Sequence, residues 1–230
     1  PGIYTLSLRD ALPSEPHYTM QIVFRSGTTG EPKGAVLSHR NLVSCIVRAA
    51  QHLKIDSTYR TLSFLPLSHV MAQNEIFIGL VTRALIQIVG RDNLLHGLKT
   101  FKPNILVAVP RVYQAVHDGI QRKLRQKPFS RKMLNFVVGV YTEGKKSPQL
   151  MKRWMCKLFS CTLGRLITSN VRENIGAFNL LVTAGAACPD FLYDFFEAIG
   201  LPLTNAQGLT EVSGAIIYNE PNETLKGSIG

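Results

Sequence analysis

The sequence has few cysteines, and this scarcity excludes two kinds of architecture. Only four of 230 residues are cysteine, scattered at Cys45, Cys156, Cys161 and Cys188. Neither a disulfide framework nor a zinc site with paired CxxC spacing fits that distribution, and no histidine cluster accompanies the thiols. Reduced thiols are typical of an intracellular protein, so we expect the chain to be cytoplasmic or peripherally associated with a membrane.

Long hydrophobic runs are also missing. The longest apolar stretch, from Ile76 to Val89, is interrupted by Arg83 and Gln87. A helix that spans a bilayer needs about 20 consecutive apolar residues. The sequence therefore predicts no transmembrane helix.

Acidic residues are scarce in one part of the chain. The formal net charge is +11, from 26 Lys and Arg against 15 Asp and Glu. Between Arg122 and Lys157 there are eleven cations and a single acid, Glu143. This basic segment carries +10, so the remainder of the chain is nearly neutral.

Short β-type runs alternate with amphipathic stretches outside the basic segment. Buried strands are predicted at Tyr18–Phe24, Thr61–Leu67, Ala84–Val89, Asn104–Val109 and Asn179–Thr183. Helices are predicted at His39–Leu53 with Ser38 as N-cap, Val70–Thr82, Asp92–Thr100, Arg111–Leu124, and Asp190–Ala198 after Pro189. This alternation predicts an α/β fold with mostly parallel sheets flanked by helices.

The unusual residues fall at the carboxyl ends of these predicted strands. Arg25–Gly34 follows the first strand, Pro66–His69 the second, Pro110 the fourth and Ala184–Ala187 the fifth. Ligands bind beyond the carboxyl ends of the strands in parallel sheets. The sequence therefore predicts one shared site at this edge.

One part of the chain does not follow the alternation of strands and helices. Residues 125–170 are basic and contain Pro128, Gly144 and Pro148, so we expect an insertion of one or two helices at about 122–170. The chain begins at Pro1 and stops at Gly230 without a closing element. We therefore expect residues 1–230 to be a piece of a longer protein.

A glycine-rich loop follows the first predicted strand. Its sequence is Ser26-Gly27-Thr28-Thr29-Gly30-Glu31-Pro32-Lys33-Gly34. The glycines permit close backbone approach, the hydroxyls and N–H groups form an anion-binding nest, and Lys33 adds a cation. The alternative is a flexible linker, but linkers seldom follow a buried strand and end in Pro-Lys-Gly. The loop is not a Walker A motif, because two residues separate Gly30 from Lys33.

This loop resembles the phosphate loop of the adenylate-forming superfamily, which includes acyl-CoA synthetases, luciferases and peptide-synthetase adenylation domains. Four further motifs resemble those of the superfamily in the same order. They are Pro66-Leu67-Ser68-His69, Thr183-Ala184-Gly185-Ala186-Ala187, Gly208-Leu209-Thr210-Glu211 and Gly227-Ser228-Ile229-Gly230. The resemblance implies part of the large N-terminal domain of such an enzyme.

The superfamily reaction has two halves, and the resemblance implies roles for particular residues. A carboxylate attacks the α-phosphorus of ATP to give acyl-AMP and pyrophosphate, and a thiol, usually coenzyme A, then displaces AMP. Lys33, Thr210 and Glu211 are the implied catalytic residues, and Glu211 is the implied Mg²⁺ ligand. The implied ATP-binding residues are Ser26, Gly27, Thr28, Thr29, Gly30, Lys33, Gly185, Ala186, Ala187, Asn205, Ala206, Gln207, Gly208 and Thr210. His69 and Val70 are implied on the substrate side, without an acid–base role; a lone histidine after a strand is otherwise more often a packing or capping residue.

Two positions depart from the superfamily pattern. Arg25 stands where a threonine usually approaches the metal, and a guanidinium cannot ligate Mg²⁺. Gln207, after Ala206, stands where a tyrosine usually stacks on adenine, which removes about 1 kcal/mol of stacking. The superfamily's ribose-binding Asp and C-terminal catalytic Lys would lie beyond Gly230. We therefore expect little turnover from this piece alone, and a non-catalytic or truncated member that acts as a nucleotide-binding or membrane-associating module is the second hypothesis.

The segment Val109-Pro110-Arg111-Val112-Tyr113, followed by a helix and the basic insertion, resembles long-chain fatty acyl-CoA synthetases. This resemblance implies a fatty acid, ATP and coenzyme A as substrates. In the basic segment, residues 122–157, aromatic and aliphatic residues interleave with the cations, which favours an anionic membrane surface as partner. A solvated helical face is the alternative. Nucleic acid is disfavoured because no recognition module is visible, and the residues leave a homodimer open.

Overall fold

A computed structural model of the chain describes residues 15–25, 32–169, 178–201 and 203–219, with Arg25 described by its backbone only. The strands are β1 (Thr19–Arg25), β2 (Lys33–Ser38), β3 (Arg60–Ser63), β4 (Leu85–Ile88), β5 (Ile105–Ala108), β6 (Leu180–Ala184), β7 (Leu203–Leu209) and β8 (Gly214–Tyr218). The helices are α1 (His39–His52), α2 (Val70–Thr82), α3 (Leu94–Phe101), α4 (Pro110–Arg125), α5 (Pro128–Lys146), α6 (Leu150–Ile167) and α7 (Asp190–Ala198).

A six-stranded sheet forms the centre of the molecule, in the order β4-β3-β5-β6-β7-β8. Its strands are parallel except β8, which returns antiparallel to β7. Helices cover both faces, as the alternating pattern predicts. The α/β fold with a mostly parallel sheet is therefore confirmed.

Alternate residues of the strands point to opposite faces, and each face has its own core. Leu62, Leu106 and Leu181 pack on one face with residues of α3, α4, α5 and α7. Val182 and Ala184 pack on the other face with the end of α1 and with Met71 of α2. The second face is the narrower core, and it borders the candidate site.

The first predicted strand is wrong in its burial and its pairing. Strand β1 pairs antiparallel with β2 in a separate two-stranded ribbon rather than in the parallel sheet. In β1, Ile22 and Phe24 are exposed, whereas Val23 is buried against Leu37 of β2 and Val70 of α2. The β-rich composition of this segment gives strand structure without revealing its partner.

Three of the predicted helices are confirmed nearly residue for residue, and local signals mark the starts of two of them, α1 and α7. Ser38 caps α1, with its side chain accepting from the backbone N–H of Asn41, and the Asn41 side chain accepts in turn from the backbone N–H of Ser38. Pro189 precedes α7, and α2 has the predicted bounds. Residues 91–93 form a 3₁₀ turn, so α3 begins two residues later than predicted.

The basic insertion contains two described helices, α5 and α6, that pack against each other. Of the three residues expected to interrupt helices, Pro128 marks the start of α5 after α4 has ended at Arg125, whereas Gly144 does not interrupt α5. Pro128 lies in the first turn of α5, where its missing N–H costs nothing. Gly144 lies within α5 at its contact with α6, where any side chain would overlap Cys156. Only Pro148 lies between the helices.

Membrane crossing is not supported by the described helices. None of those in the described ranges combines the length and the apolar composition that a bilayer span requires.

Candidate functional site at the carboxyl edge of the sheet

Strand β6 ends at the edge where the sequence predicts a nucleotide site. Gly185 follows the strand with φ of +83°, a left-handed conformation that favours glycine. Ala186 and Ala187 continue the loop, and all three residues are exposed. A side chain at Gly185 would lie 3.7 Å from Val109, the last residue before α4. The ends of β5 and β6 therefore meet at this loop.

Strand β7 brings the next predicted motif beside this loop. Ala184 pairs with Ala206, and Thr183 pairs with Asn205. Beyond the pair, Gln207 and Gly208 are exposed, and the register with β8 shifts between them. Such a shift re-aims side chains at the edge of a sheet. The structure thus joins two predicted nucleotide-binding segments that lie about twenty residues apart in sequence.

The side chain of Ala206 does not face this edge. It is 3% exposed and packs in the core beside Ala184 and Val182. Asn205 is half-buried, and its carbonyl accepts from the backbone N–H of Asn219 at 3.0 Å. Any contact between Ala206 and a nucleotide would therefore be made by its backbone.

Residues 210–212 form a short 3₁₀ turn that carries the predicted catalytic pair. Glu211 is exposed and Thr210 is half-buried. The turn ends at Ser213 and Gly214, with φ of +66° and +122°. Asn74 of α2 donates from Nδ2 to the Ser213 carbonyl at 2.6 Å. This buried hydrogen bond fixes the turn against α2.

A second contact secures the strand that follows the turn. The Cys45 thiol of α1 donates to the Ala215 carbonyl at 3.3 Å, and Asn74 Nδ2 lies 3.7 Å from the same sulfur. Burial raises the pKa of Cys45, so the thiol stays protonated and able to donate. The turn with Thr210 and Glu211 is therefore held by two helices.

The sequence analysis predicts that Glu211 binds Mg²⁺. Its surroundings fit a site in which the protein supplies few of the metal ligands. Within the described ranges, no group of three or more His, Cys, Asp or Glu side chains could hold a metal ion. Magnesium commonly takes one or two carboxylates and completes its shell with phosphate oxygens and water. An exposed Glu211 at a strand-end turn fits a metal brought in with the nucleotide.

The phosphate loop can be located only through the strands beside it. Ser26, Gly27, Thr28, Thr29 and Gly30 lie outside the described residues, as does the motif 227–230. Lys33 begins β2, is exposed and pairs with Arg25 of β1. Strand β2 also contacts the turn Thr210–Val212. The ribbon thus brings the strand of Lys33 next to the predicted Mg²⁺ ligand.

His69 and Val70, the predicted substrate-side residues, begin α2 with opposite exposures. His69 is exposed at the N-cap position, and its side chain forms no capping hydrogen bond. Val70 is 6% exposed and packs against Val23 and Leu37 of the ribbon. Val70 therefore joins the ribbon to the sheet, and only His69 of the two has an accessible side chain.

An apolar cavity of about 60 Å³ lies directly beneath the edge. It is bounded by the sheet, by α2 and by the segment after α1. Its lining includes Ala184, Ala206, Ala215, Val182, Val107, Ile105, Met71, Ile78, Leu53, Ile55, Tyr59 and Tyr218. Ile105 pairs with Leu180, four residues before Ala184, so at 3.3 Å per residue the cavity spans about 13 Å of the sheet. One water needs about 10–15 Å³, so this space holds several waters or part of an apolar chain.

A buried carboxyl lines this cavity. Glu75 of α2 is 6% exposed, and it accepts a hydrogen bond from the Thr61 hydroxyl of β3. Burial raises the pKa of Glu75 to about 7, and the Thr61 and Ser63 hydroxyls oppose that shift. The carboxyl is therefore neutral in a large fraction of molecules near neutral pH.

Sequence reasoning missed Asn74, Glu75 and the strands β7 and β8. A signal existed for the first two, because Asn74 and Glu75 are adjacent polar residues in a helix whose other buried members are Val70, Ala72 and Gly79. Burying such groups is costly without a function or a partner. No comparable signal marks β7, whose sequence Leu-Thr-Asn-Ala-Gln-Gly-Leu reads as a loop.

Comparisons with known proteins find relatives by sequence. Two relatives are a long-chain-fatty-acid–[acyl-carrier-protein] ligase (AEE15) of Arabidopsis thaliana and the long-chain-fatty-acid–CoA ligase heimdall of Drosophila melanogaster. The first is 29% identical over 241 residues, covering 92% of this chain and 33% of the relative. The second is 32% identical over 217 residues, covering 86% of this chain and 31% of the relative. The chain thus spans about a third of the length of these relatives.

Solved structures share the fold at lower sequence identity. O-succinylbenzoate coenzyme A synthetase (MenE) from Bacillus subtilis, solved in complex with AMP, matches with a TM-score of 0.63 and 19% identity over 94% of this chain and 35% of that one. The N-terminal domain of FACL13 from Mycobacterium tuberculosis matches with a TM-score of 0.60 and 20% identity over 91% of this chain and 42% of that one. These likenesses support the fold, and the family follows from sequence: the model of the AMP-binding enzyme family matches residues 6–230, so the chain belongs to that family.

Proposed function

We propose that this chain supplies the ATP site and the acid site of a ligase that activates a fatty acid to acyl-AMP and then transfers it to coenzyme A. One observation carries the proposal. The loop Gly185–Ala187, the segment Asn205–Gly208 and the turn Thr210–Val212 meet at one edge of the sheet, directly above an elongated apolar cavity. A polar edge above an apolar slot suits a substrate with a carboxylate head and a hydrocarbon chain.

In this proposal the first step forms a bond between the carboxylate oxygen and the α-phosphorus of ATP and breaks the bond to pyrophosphate. Negative charge accumulates on the departing pyrophosphate. Lys33, with the loop Ser26–Gly30, stabilises this charge, and Thr210 donates a hydrogen bond to the α-phosphate. In the second step a thiolate attacks the acyl carbon and AMP leaves.

A magnesium ion fits the same edge. Glu211 would hold it together with phosphate oxygens and water, and the ion would neutralise phosphate charge. Asn74 acts indirectly, because its hydrogen bond to the Ser213 carbonyl fixes the turn that carries Glu211.

The hydrocarbon chain would lie along the sheet face. The cavity is lined by side chains such as Val107, Val182 and Ile78, and it runs parallel to the strands for about 13 Å. Apolar surface gives about 25 cal/mol per Å² when it leaves water, so an acyl chain gains affinity with each buried methylene. The names of the relatives, which are long-chain fatty acid ligases, support the same substrate class.

The experiment that tests this function is pyrophosphate exchange by the intact protein. We expect exchange that depends on a long-chain fatty acid, and we expect Lys33→Ala and Glu211→Gln to abolish it while thermal unfolding stays unchanged. Lys99→Ala and Glu143→Gln are matched controls, because Lys99 is exposed near the end of α3 and Glu143 is exposed on α5. Absence of exchange with every fatty acid in the wild type would leave the non-catalytic module as the function.

A specific observation favours a second property, association with anionic membranes. Helix α6 presents an exposed apolar stripe, here called the α6 stripe, formed by Leu150, Met151, Trp154, Met155, Leu158 and Phe159. Exposed cations at Lys152, Arg153 and Lys157 flank it. Basic amphipathic helices of this kind lie in the interface of anionic bilayers, where a fatty substrate also resides.

Not every cation of the basic segment is available to such a surface. Lys145 is directed inward, where Nζ lies 3.0 Å from Glu197 Oε2, and Tyr141 donates to the same oxygen at 2.5 Å. Lys145 therefore fastens α5 to α7. The proposed membrane contact rests on α6 rather than on the whole of 122–157.

A further inference from the structure

Helix α2 contacts both halves of the candidate site. Asn74 donates from Nδ2 to the carbonyl of Ser213, which ends the turn that carries Glu211. Asn74 also lines the apolar cavity, together with Met71 and Ile78 of the same helix. One residue of α2 therefore touches the proposed pocket for the acyl chain and the turn of the predicted Mg²⁺ ligand.

The contact between Asn74 and the turn leaves little room for independent movement. Asn74 is 7% exposed and Ser213 is fully buried. Water cannot readily replace their hydrogen bond if the two groups separate, so separation would leave buried polar groups unpaired. The next residue, Gly214, approaches so closely that any side chain there would overlap the Asn74 amide. The turn therefore follows the position of α2.

The cavity leaves α2 incompletely packed on the side that faces the sheet. Its volume of about 60 Å³ adjoins Met71 and Ile78. Side chains that border a void lose the dispersion contacts that a filled space would provide. An acyl chain in this space would supply those contacts and define the position of α2 more closely.

Two ligands that restrict the same element bind cooperatively. The first ligand restricts the freedom of the element, so the second has less freedom to remove. An acyl chain would act on α2 through the cavity wall, and Mg²⁺·ATP would act on it through Glu211, the turn and Asn74. The coupling is reciprocal, because each ligand must change the affinity of the other by the same factor.

We propose that Asn74 is a positioning residue that couples the two substrate sites. An acyl chain in the cavity orders α2 and, through the hydrogen bond to Ser213, the turn that carries Glu211, so it strengthens the binding of Mg²⁺·ATP. The proposal rests on the function proposed above, since it describes how the two substrates of that site regulate each other.

Cys45 offers a matched comparison on a neighbouring helix. Its thiol donates to the Ala215 carbonyl of β8, just after the same turn. Cys45 belongs to α1, and none of the described residues that line the cavity lies in α1. Cys45 therefore supports the turn without contacting the space for the acyl chain.

Calorimetry of the intact protein measures the coupling without catalysis. The nucleotide is α,β-methylene-ATP with Mg²⁺, whose bridge between the α- and β-phosphorus cannot be cleaved in the reaction. The chain is 1-dodecanol, which has no carboxylate to repel the phosphates. We expect saturating 1-dodecanol to tighten nucleotide binding by about fivefold or more. Equal nucleotide affinities with and without 1-dodecanol would overturn the proposal.

Variants of the two helices separate coupling from general support of the turn. Asn74→Leu keeps a similar size and removes the donor, so the nucleotide and 1-dodecanol should bind independently of each other. Asn74→Ala tests the same loss if the leucine variant does not fold. Cys45→Ala should weaken nucleotide binding but keep the coupling factor. A factor that survives both Asn74 variants, or one that Cys45→Ala abolishes equally, would contradict the role of Asn74.

Turnover provides a second readout that a purely structural role would not move. In the wild type, KM for ATP should fall as the fatty acid used in pyrophosphate exchange is lengthened from six to about twelve carbons, because a longer chain fills more of the cavity. In Asn74→Leu, KM for ATP should be the same for every acid. A KM for ATP that is independent of chain length in the wild type would overturn the proposal.

Failure of the proposed function can be told apart from failure of this inference. A protein that binds no Mg²⁺·nucleotide would fail the proposed function. Hydrogen exchange at the Ser213 backbone N–H, which donates to the Thr210 carbonyl at 3.1 Å, still reports the order of the turn. We expect 1-dodecanol to slow this exchange in the wild type and not in Asn74→Leu. Exchange that 1-dodecanol leaves unchanged in the wild type would overturn the inference.

Discussion

The carboxyl edge of the sheet and the α5–α6 pair are built in opposite ways. At the edge, residues distant in sequence are joined by strand register and by buried hydrogen bonds, such as Asn74 to Ser213. In α6, the buried residues are only Ser160 and Gly164, and most of the first half of the helix is exposed. The edge is a tightly specified site, whereas α6 is a surface whose composition matters more than its geometry.

The sharpest test of this difference uses one glycine from each region. A side chain at Gly208 would overlap the carbonyl oxygen of Gly214 across the β7–β8 pair, whereas nothing lies within 4 Å of the corresponding position at Gly139 on α5. We expect Gly208→Ala to lower the free energy of unfolding by more than about 4 kcal/mol and to abolish nucleotide binding. Gly139→Ala should raise it by about 0.5–1 kcal/mol. Urea unfolding measures both, and similar small effects would remove the contrast.

The next largest effect concerns pH and the cavity beneath the edge. Burial raises the pKa of Glu75 to about 7 in the folded protein, whereas the ordinary pKa of an unfolded Glu is 4.5. Folded molecules therefore bind more protons between these values, so this group's contribution to stability falls as pH rises from about 4.5 to 7.

Glu75→Gln removes that dependence. We expect the variant to gain on the order of 3 kcal/mol relative to wild type between pH 4 and pH 8. Thermal unfolding at several pH values measures the difference. Glu143→Gln is the matched control on α5, because that side chain is 75% exposed and should leave the pH profile unchanged. Parallel profiles for wild type and Glu75→Gln would contradict the burial argument.

A weaker effect is expected from charge reversal on α6. We expect the triple variant Lys152→Glu, Arg153→Glu and Lys157→Glu of the intact protein to bind phosphatidylserine vesicles at least about tenfold more weakly. Each basic residue adds about 1 kcal/mol of binding free energy near an anionic surface. Reversal of Arg91, Lys99 and Lys102, which are exposed near α3, changes the net charge equally. That control should bind nearly as the wild type does.

Salt and lipid composition complete the vesicle experiment. Attraction should weaken as ionic strength rises, because the Debye length is about 8 Å at physiological salt. Equal sedimentation with neutral and anionic vesicles would contradict the proposed anionic partner, and the basic segment would be a solvated helical face.

The smallest expected effect is on ATP affinity, from a substitution at the carboxyl edge of the sheet. Gln207 is exposed on β7, at the position where the superfamily resemblance implies an adenine-stacking tyrosine. Gln207→Tyr should tighten ATP binding several-fold, because an aromatic face adds about 1 kcal/mol of stacking. Calorimetry with equal or weaker affinity would indicate that adenine binds elsewhere at this edge.

The sequence predicts the parts of this fold whose signals are local. Ser38 and Pro189 mark the starts of α1 and α7. The cations of residues 122–157 lie mainly in the helices α4, α5 and α6. Long-range pairing is not encoded locally, so the sequence does not reveal that β1 pairs with β2 in a separate ribbon, and it does not predict β7. The same limit applies to the site. Gly185 and Glu211 stand out as motif residues, whereas Glu75 matters only because the fold turns it toward Thr61.

The hydrogen bond from Cys45 to Ala215 joins residues 170 positions apart. Ribosomes add about 5–20 residues per second, so α1 is complete about 10–30 s before its partner strand exists. During that interval the side chains of Leu42, Ile46 and Ala49, which are buried in the finished protein, have no β8 to cover them. The turn that carries Glu211 can be fixed against α1 and α2 only after this delay, so this edge of the sheet assembles well after the two helices that hold it.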